Sequence, residues 1–470
     1  MIRPAFLLLL FFALHPALAG VHDDIGFTRL KNELGDKLPT GAGILIGQVE
    51  SPLGVDHDNK EATLKVNTWV PNPKASGLRD VAIVNYREAS EGVYSGHATA
   101  VARRLAGSGR NQGLVSDLAE LRVYSTGHYL GGALLQTRRA GAPMAIPLRL
   151  INHSWAGNGR NSEILRRSDW LTEKDEVIQV VGVSNAKDKV NTSYMAAAVN
   201  AIVVGRSDAN HSVGTPAIDD IYLSGRARPH LVAPLKTGSA AAPTVSSAVV
   251  LLLEVAANPA LSSRAQPFIN RGGIQIYDAG RSEVMRAVLM AGATRKTRNS
   301  SHGDIAGYRD VAENRMPNGL DRRYGAGQLD IYNAWKILTA GEQENVSRPC
   351  GFDYEPALAA GGVRDYELPM SGAGGQLAAT VSWNLLFPAA RGDNIDLSAR
   401  LNRLELSLIE VSGDGERVVR ESASPADTTQ SLYETLQPDT AYLLRVTRAD
   451  AAAGSQDFAL AWHVISNEAP

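Results

Sequence analysis

The sequence is short of cysteine, of aromatic side chains and of any surplus of charge. Cys350 is the one cysteine in 470 residues. No intrachain disulfide can form, so the fold must stand on its core. Cys350 lies between Pro349 and Gly351 with no histidine near it in sequence, which removes it as a candidate nucleophile. Aromatic residues make up 6% of the chain, so the core must be built mainly from Ala, Val, Leu and Ile. Basic side chains number 47 and acidic ones 49, a net charge of -2. That balance gives no electrostatic footprint for nucleic acid and no basic tract for an anionic membrane. Beyond the N-terminus, no apolar run reaches membrane-spanning length.

What is present begins with an export pattern. Arg3 supplies a positive start, and Ala5 to Leu14 form an apolar run too short to span a bilayer comfortably. Ala17-Leu18-Ala19 reads as a small-x-small cleavage site. Residues 1–19 are therefore expected to be a secretory signal. The mature chain would start at Gly20, periplasmic or extracellular, with no membrane anchor after cleavage.

Phe27, Leu30 and Leu34 recur at helical spacing, which predicts a short N-terminal helical segment over 20–40. From 41 to 342 nearly continuous apolar runs alternate with helical patterns. Strands are expected near Gly43–Val49, Glu120–Tyr124, Leu148–Ser154, Glu176–Val183 and Asn200–Val204. Helices are expected near His97–Ala106, Leu130–Ala140, Ser162–Ser168, Ser239–Val255, Ser282–Ala291 and Leu329–Leu338. Such alternation implies an α/β fold with a doubly wound, mostly parallel sheet. Residues 343–354 lack periodicity and read as a linker. From 355 to 470 a period of two prevails, clearest in Leu404-Glu405-Leu406-Ser407-Leu408, and predicts a small antiparallel β-sandwich. The change of period predicts two units that fold separately.

Three segments put a reactive side chain at the end of a strand or the start of a helix. Lys236-Thr237-Gly238-Ser239 leads into an apolar helix, where free N–H groups and the helix dipole favour negative charge. A plain N-cap serine reads the same way. Ser95-Gly96-His97-Ala98 opens a helix of small residues. Ile44-Leu45-Ile46-Gly47-Gln48-Val49-Glu50 ends a buried strand in a carboxylate, at the edge where open α/β sheets bind ligands.

Taken together, the order acid, His, Ser resembles the subtilisin-like serine protease family. Gly96-His97-Ala98-Thr99-Ala100-Val101-Ala102 is similar to the family's His box, and Gly238-Ser239-Ala240-Ala241-Ala242-Pro243 to its Ser box. Asn152-His153-Ser154-Trp155-Ala156-Gly157 resembles the substrate-aligning segment. Val181-Gly182-Val183-Ser184-Asn185 resembles the strand that ends in the oxyanion-hole Asn, and Tyr324-Gly325-Ala326-Gly327 the stretch before the last helix. The resemblance implies Ser239 as nucleophile, His97 as base, Glu50 as orienting acid and Asn185 in the oxyanion hole. It implies Ser154, Trp155, Ala156 and Gly157 as substrate-binding residues.

The departures are Glu50, where the family usually has Asp, and Gly238 before the nucleophile, where it has Thr. The related sedolisins lack the His that stands here at 97. Asp56 and Asp58, in the loop Val55-Asp56-His57-Asp58-Asn59, are rival acids. That loop lacks the Gly and distal Glu of an EF-hand, so no calcium site is assigned and no cofactor is expected to be required. The expected activity is peptide-bond hydrolysis by a secreted serine endopeptidase acting on polypeptides. The altered boxes keep open an inactive binding protein on the same fold. An esterase is a third reading, but the chain has no Gly-x-Ser-x-Gly elbow.

Overall fold

Strand β1 (Ile46–Glu50) has every residue buried, because it lies between neighbours and is covered on both faces. In this computed structural model it joins β2 (Ala82–Asn85), β3 (Glu120–Ser125), β4 (Leu150–His153), β5 (Ile178–Gly182), β6 (Ile202–Arg206) and β7 (Leu231–Ala233). The order is β2-β3-β1-β4-β5-β6-β7, and every pairing is parallel. The structure describes residues 20–54, 66–85, 93–107, 113–118, 120–157, 159–190, 193–295, 300–344, 348–368, 372–389 and 394–466. The expected signal at 1–19 and the loop with Asp56 and Asp58 lie outside the described residues.

Successive strand residues point to opposite faces, and each face has its own core. Ile46, Leu150, Val180 and Val204 pack on one side, and Val49, Ile151, Val181 and Val203 on the other. The helices are α1 (Phe27–Leu34), α2 (Gly96–Ala106), α3 (Ser162–Asp175), α4 (Gly238–Ala256), α5 (Ser282–Gly292) and α6 (Ile331–Thr339). Helices α2, α4, α5 and α6 serve the first face and α3 the second. Helix α4 is long and apolar enough to cross a membrane, but most of it is buried inside the protein, so it is a core helix. In the N-terminal segment Phe27 and Leu30 are buried, and Arg29 lies 3.9 Å from the Tyr332 ring centroid on α6.

Three local expectations change. No helix spans 130–140. A single turn at Thr126–His128 runs into a wide turn at Tyr129–Ala133, where Gly131 leaves helical geometry. Helix α3 continues past Ser168 to Asp175. Residues 343–354 are not a linker throughout, since Cys350–Leu358 is a strand, β8.

The C-terminal part is a sandwich of two antiparallel sheets. One has the order β8-β15-β10-β13, with β10 at Gly375–Ser382, β13 at Thr429–Leu436 and β15 at Gln456–Ser466. The other has the order β9-β14-β11-β12, with β9 at Val363–Leu368, β11 at Leu404–Ser412, β12 at Gly415–Ser422 and β14 at Ala441–Arg448. Trp383, Phe458 and Trp462 fill the space between them.

The sandwich shares a core with the helices of the parallel sheet. Phe352, Tyr354, Ala459 and Ala461 belong to the same core cluster as α4 and α5. Every residue of α5 is buried, its polar ones included, because the sandwich covers its outer side. Arg286 donates to Ser382 Oγ at 2.6 Å, Trp383 O at 2.5 Å and Asn384 Oδ1 at 3.2 Å. Arg228 pairs with Asp427 at 3.4 Å, both buried. Truncation before Cys350 is therefore expected to give no soluble, cooperatively melting product. It uncovers the apolar side of α5 and removes three acceptors of Arg286, those on Ser382, Trp383 and Asn384. Soluble yield and thermal melts of chains ending between Ala340 and Gln343 check this. A cooperative melt near that of the full chain would show the two parts to be separable after all.

Candidate functional site

Residues two apart on a strand share a face, so Gln48 and Glu50 both point from β1 toward the start of α2. Glu50 Oε2 accepts a hydrogen bond from His97 Nδ1 at 2.7 Å. Glu50 Oε1 accepts from Gln48 Nε2 at 2.9 Å, and that amide also donates to Ala98 O at 2.9 Å. The carboxylate is 1% exposed, and a buried charge persists only when its oxygens are bonded. Both of them are. Ser95 caps α2 through its Oγ, which accepts from Ala98 N and fixes the turn carrying His97. The His97 ring is one third exposed. Its hydrogen bond to Glu50 raises its pKa above the ordinary 6.5, against the opposing effect of burial. With Nδ1 donating to the carboxylate, neutral His97 keeps its lone pair on Nε2.

Ser239 is the second residue of α4. Thr237 is the N-cap, its Oγ1 accepting from Ala240 N at 3.1 Å. Gly238 N donates to Asn185 Oδ1 at 2.7 Å. The Ser239 N–H has no partner among the described residues, so one donor at this helix start is left free. Glycine at 238 is required by close approach. A Cβ there would lie 2.2 Å from Val183 O, and a Cβ on Gly182 would lie 2.7 Å from Gly238 O. These two glycines let the end of β5 meet the start of α4, which brings Asn185 beside Ser239.

A cleft of about 760 Å³ runs across this junction, lined by His97, Ser154, Trp155, Ala156, Asn185 and Ser239 among others. Glu50 lies behind His97, out of the cleft lining. The Ser239 hydroxyl lies 3.2 Å from Thr237 Oγ1, and no bond to His97 forms among the described residues. A model of the subtilase family matches residues 41–327. The chain belongs to the subtilase family. Its members are serine peptidases, whose substrates are peptides.

Solved structures similar to this subtilase include the self-cleaved protease domain of PatA, at 16% identity, covering 64% of this chain and 98% of that one, with a TM-score of 0.38. The PatG macrocyclase in complex with peptide has 14% identity over 69% and 99%, with a TM-score of 0.39. The MycP3 protease of a type VII secretion system has 14% identity over 69% and 89%, with a TM-score of 0.35. No curated protein matches the chain.

Of the eight site residues expected from the subtilase pattern, Gly157 is not part of the cleft lining. Its carbonyl accepts from Tyr194 N at 3.1 Å, and its missing Cβ leaves room for the Trp155 ring. Trp155 is anchored from below. Its Nε1 donates to His153 Nδ1 at 3.2 Å, and His153 Nε2 donates to Gln179 Oε1 at 2.7 Å. This pair of bonds suits a neutral ring, and burial lowers the His153 pKa to about 4.

Gln48, Thr237 and the His153–Gln179 pair were missed from sequence. Gln48 left one signal, a lone polar side chain in a buried strand two places before the acid. Among the described residues, no group of three or more His, Cys, Asp or Glu side chains is placed to hold a metal ion.

Proposed function

We propose that this subtilase is an active serine endopeptidase working through an acyl-enzyme, with Ser239 as nucleophile, His97 as general base and Glu50 as orienting acid. The observation that carries the reading is the 2.7 Å contact of His97 Nδ1 with buried Glu50, which leaves Nε2 available at the cleft that Ser239 lines. In this scheme Nε2 takes the hydroxyl proton as Ser239 attacks the carbonyl, and returns it to the departing amine. Water then repeats the sequence on the ester and releases the acyl half. The free Ser239 N–H and the Asn185 amide supply hydrogen bonds to the oxyanion. Ser154, Trp155 and Ala156 support substrate docked as an added strand. The Arg3 to Ala19 pattern supports export of the chain to the periplasm or beyond. N-terminal sequencing of the exported protein would test that, with Gly20 as the expected first residue.

A second reading, a binding protein without turnover, takes support from the Ser239 hydroxyl resting on Thr237 and not on His97. Catalytic hydrogen bonds often tighten only with substrate bound, so this contact does not decide against activity. Labelling of the mature chain by a fluorophosphonate, with casein hydrolysis measured beside it, separates the two. Labelling at Ser239 with turnover supports the enzyme, and neither event would leave the binder.

Asn185→Ala is expected to lower kcat by about 10²–10³-fold with a smaller change in KM, the size known for the corresponding Asn of a subtilisin. Steady-state kinetics on one peptide checks it, and an unchanged kcat removes Asn185 from the oxyanion site.

A further inference from the structure

Helix α2 presents one stripe to the cleft. His97, Ala100, Val101 and Arg104 stand at i, i+3, i+4 and i+7, and all four line it. Ala100 and Val101 are short, so the groove stays open along the helix from His97 to the Arg104 guanidinium. Arg104 is half-buried and makes no hydrogen bond or ion pair among the described residues. Arg103 beside it is engaged, donating from Nε to Ser76 O at 2.8 Å. Burial lowers the Arg104 pKa, and among the described residues no carboxylate acts against it. An arginine nonetheless stays protonated at neutral pH. A partly desolvated charge without a counter-ion gains most from a carboxylate brought to it.

Ser154 to Ala156, Gly182 to Asn185, Ser239 and Ala240 line the same cleft as the α2 stripe, so a substrate seated there would come within reach of Arg104. A helix rises about 1.5 Å per residue, so Arg104 lies roughly 10 Å along α2 from His97, the span of about three extended residues.

We propose that Arg104 is a specificity-determining residue that receives a substrate carboxylate within about three residues of the scissile bond, an inference that rests on the proteolytic reading above. An acidic side chain and the free C-terminus of a short leaving group present the same chemistry, and the test separates them.

The mature full-length chain is assayed on peptides sharing one cleavage site. Glu or Gln is placed in turn at the first, second and third positions on either side of the bond. A second set ends at the second or third position after the bond as free acid or amide. At one or more positions the parent is expected to favour Glu over Gln by about two- to fivefold in kcat/KM, as one partly exposed charge pair supplies. High salt should shrink the ratio. Arg104→Gln should bring it to one, and Arg104→Glu should favour Lys there. A free-acid preference without a Glu preference assigns the carboxylate to the substrate C-terminus.

Binding of the same peptides to Ser239→Ala reads the preference without turnover. If the parent cleaves the neutral peptides but shows no carboxylate preference that responds to Arg104, the proposal is overturned and the proteolytic reading stands. If nothing is cleaved yet Arg104 still sets a carboxylate preference in binding, the proteolytic reading fails and the carboxylate site remains.

Discussion

Ser239→Ala is expected to give a folded chain with no measurable peptide turnover, a fall in kcat of about 10⁶-fold on the scale of a subtilisin nucleophile. The hydroxyl is half-buried at the mouth of α4, and its single polar contact is with Thr237 Oγ1. The cap of the helix is the Thr237 side chain, which the substitution leaves in place. Stability should therefore move by less than about 1 kcal/mol. Circular dichroism and a thermal melt establish that the variant is folded. Turnover on a fluorogenic peptide and fluorophosphonate labelling then read the chemistry. A variant that still cleaves at the parent rate would show the nucleophile to lie elsewhere.

Glu50→Gln should be nearly as damaging, with kcat lower by about 10⁴-fold, as when the acid of a serine-protease triad becomes its amide. Here the neighbouring Gln48 makes the reason specific. Its Nε2 donates to one oxygen of the acid and to Ala98 O, so it holds its donor face toward position 50. A glutamine there must turn its oxygen to Gln48 and its NH₂ to His97. The ring then accepts at Nδ1 and carries its proton on Nε2, the wrong tautomer for a base facing Ser239.

The pH profile gives an independent readout. His97 acts as a base only when neutral, so activity rises with pH through its pKa. In the parent the acid limb should lie above 6.5, because Glu50 raises that pKa. In Glu50→Gln the raising partner is gone while burial remains, so the residual activity should titrate at lower pH. Glu50→Asp should retain activity within about tenfold, the cost of a shorter reach. Asp56→Asn and Asp58→Asn should leave kcat nearly unchanged. An inactive Asp56→Asn or Asp58→Asn beside an active Glu50→Gln would reassign the acid.

The central sheet was readable because β1, β4, β5 and β6 are buried on both faces and so carry nearly continuous apolar runs. The exceptions are instructive. Strand β2 is a four-residue, mostly exposed edge, and β7 has only three residues, both too short for a period to register. The segment after Ser125 looked helical by composition, but Gly131 and Gly132 hold it in turns. For the site, order along the chain was enough to nominate Glu50, His97, Ser239 and Asn185 together. Gln48 escaped because its role depends on the Ala98 carbonyl, fifty residues away. Glycine at 238 looked like a departure from pattern, and its reason is the Val183 carbonyl, a contact no local reading contains. The joined cores escaped for the same cause. Arg286 sits in an amphipathic helix pattern, while its acceptors are nearly a hundred residues downstream.

That last separation has a temporal consequence during synthesis. The strands that shield α5 and satisfy Arg286 belong to the final quarter of the polypeptide, and Ala459 and Ala461 lie within a dozen residues of its end. Until they emerge, the growing chain holds a helix with an uncovered side and a guanidinium that lacks its Ser382, Trp383 and Asn384 acceptors. Under the proteolytic reading, a chain still missing these strands is therefore expected to show little activity.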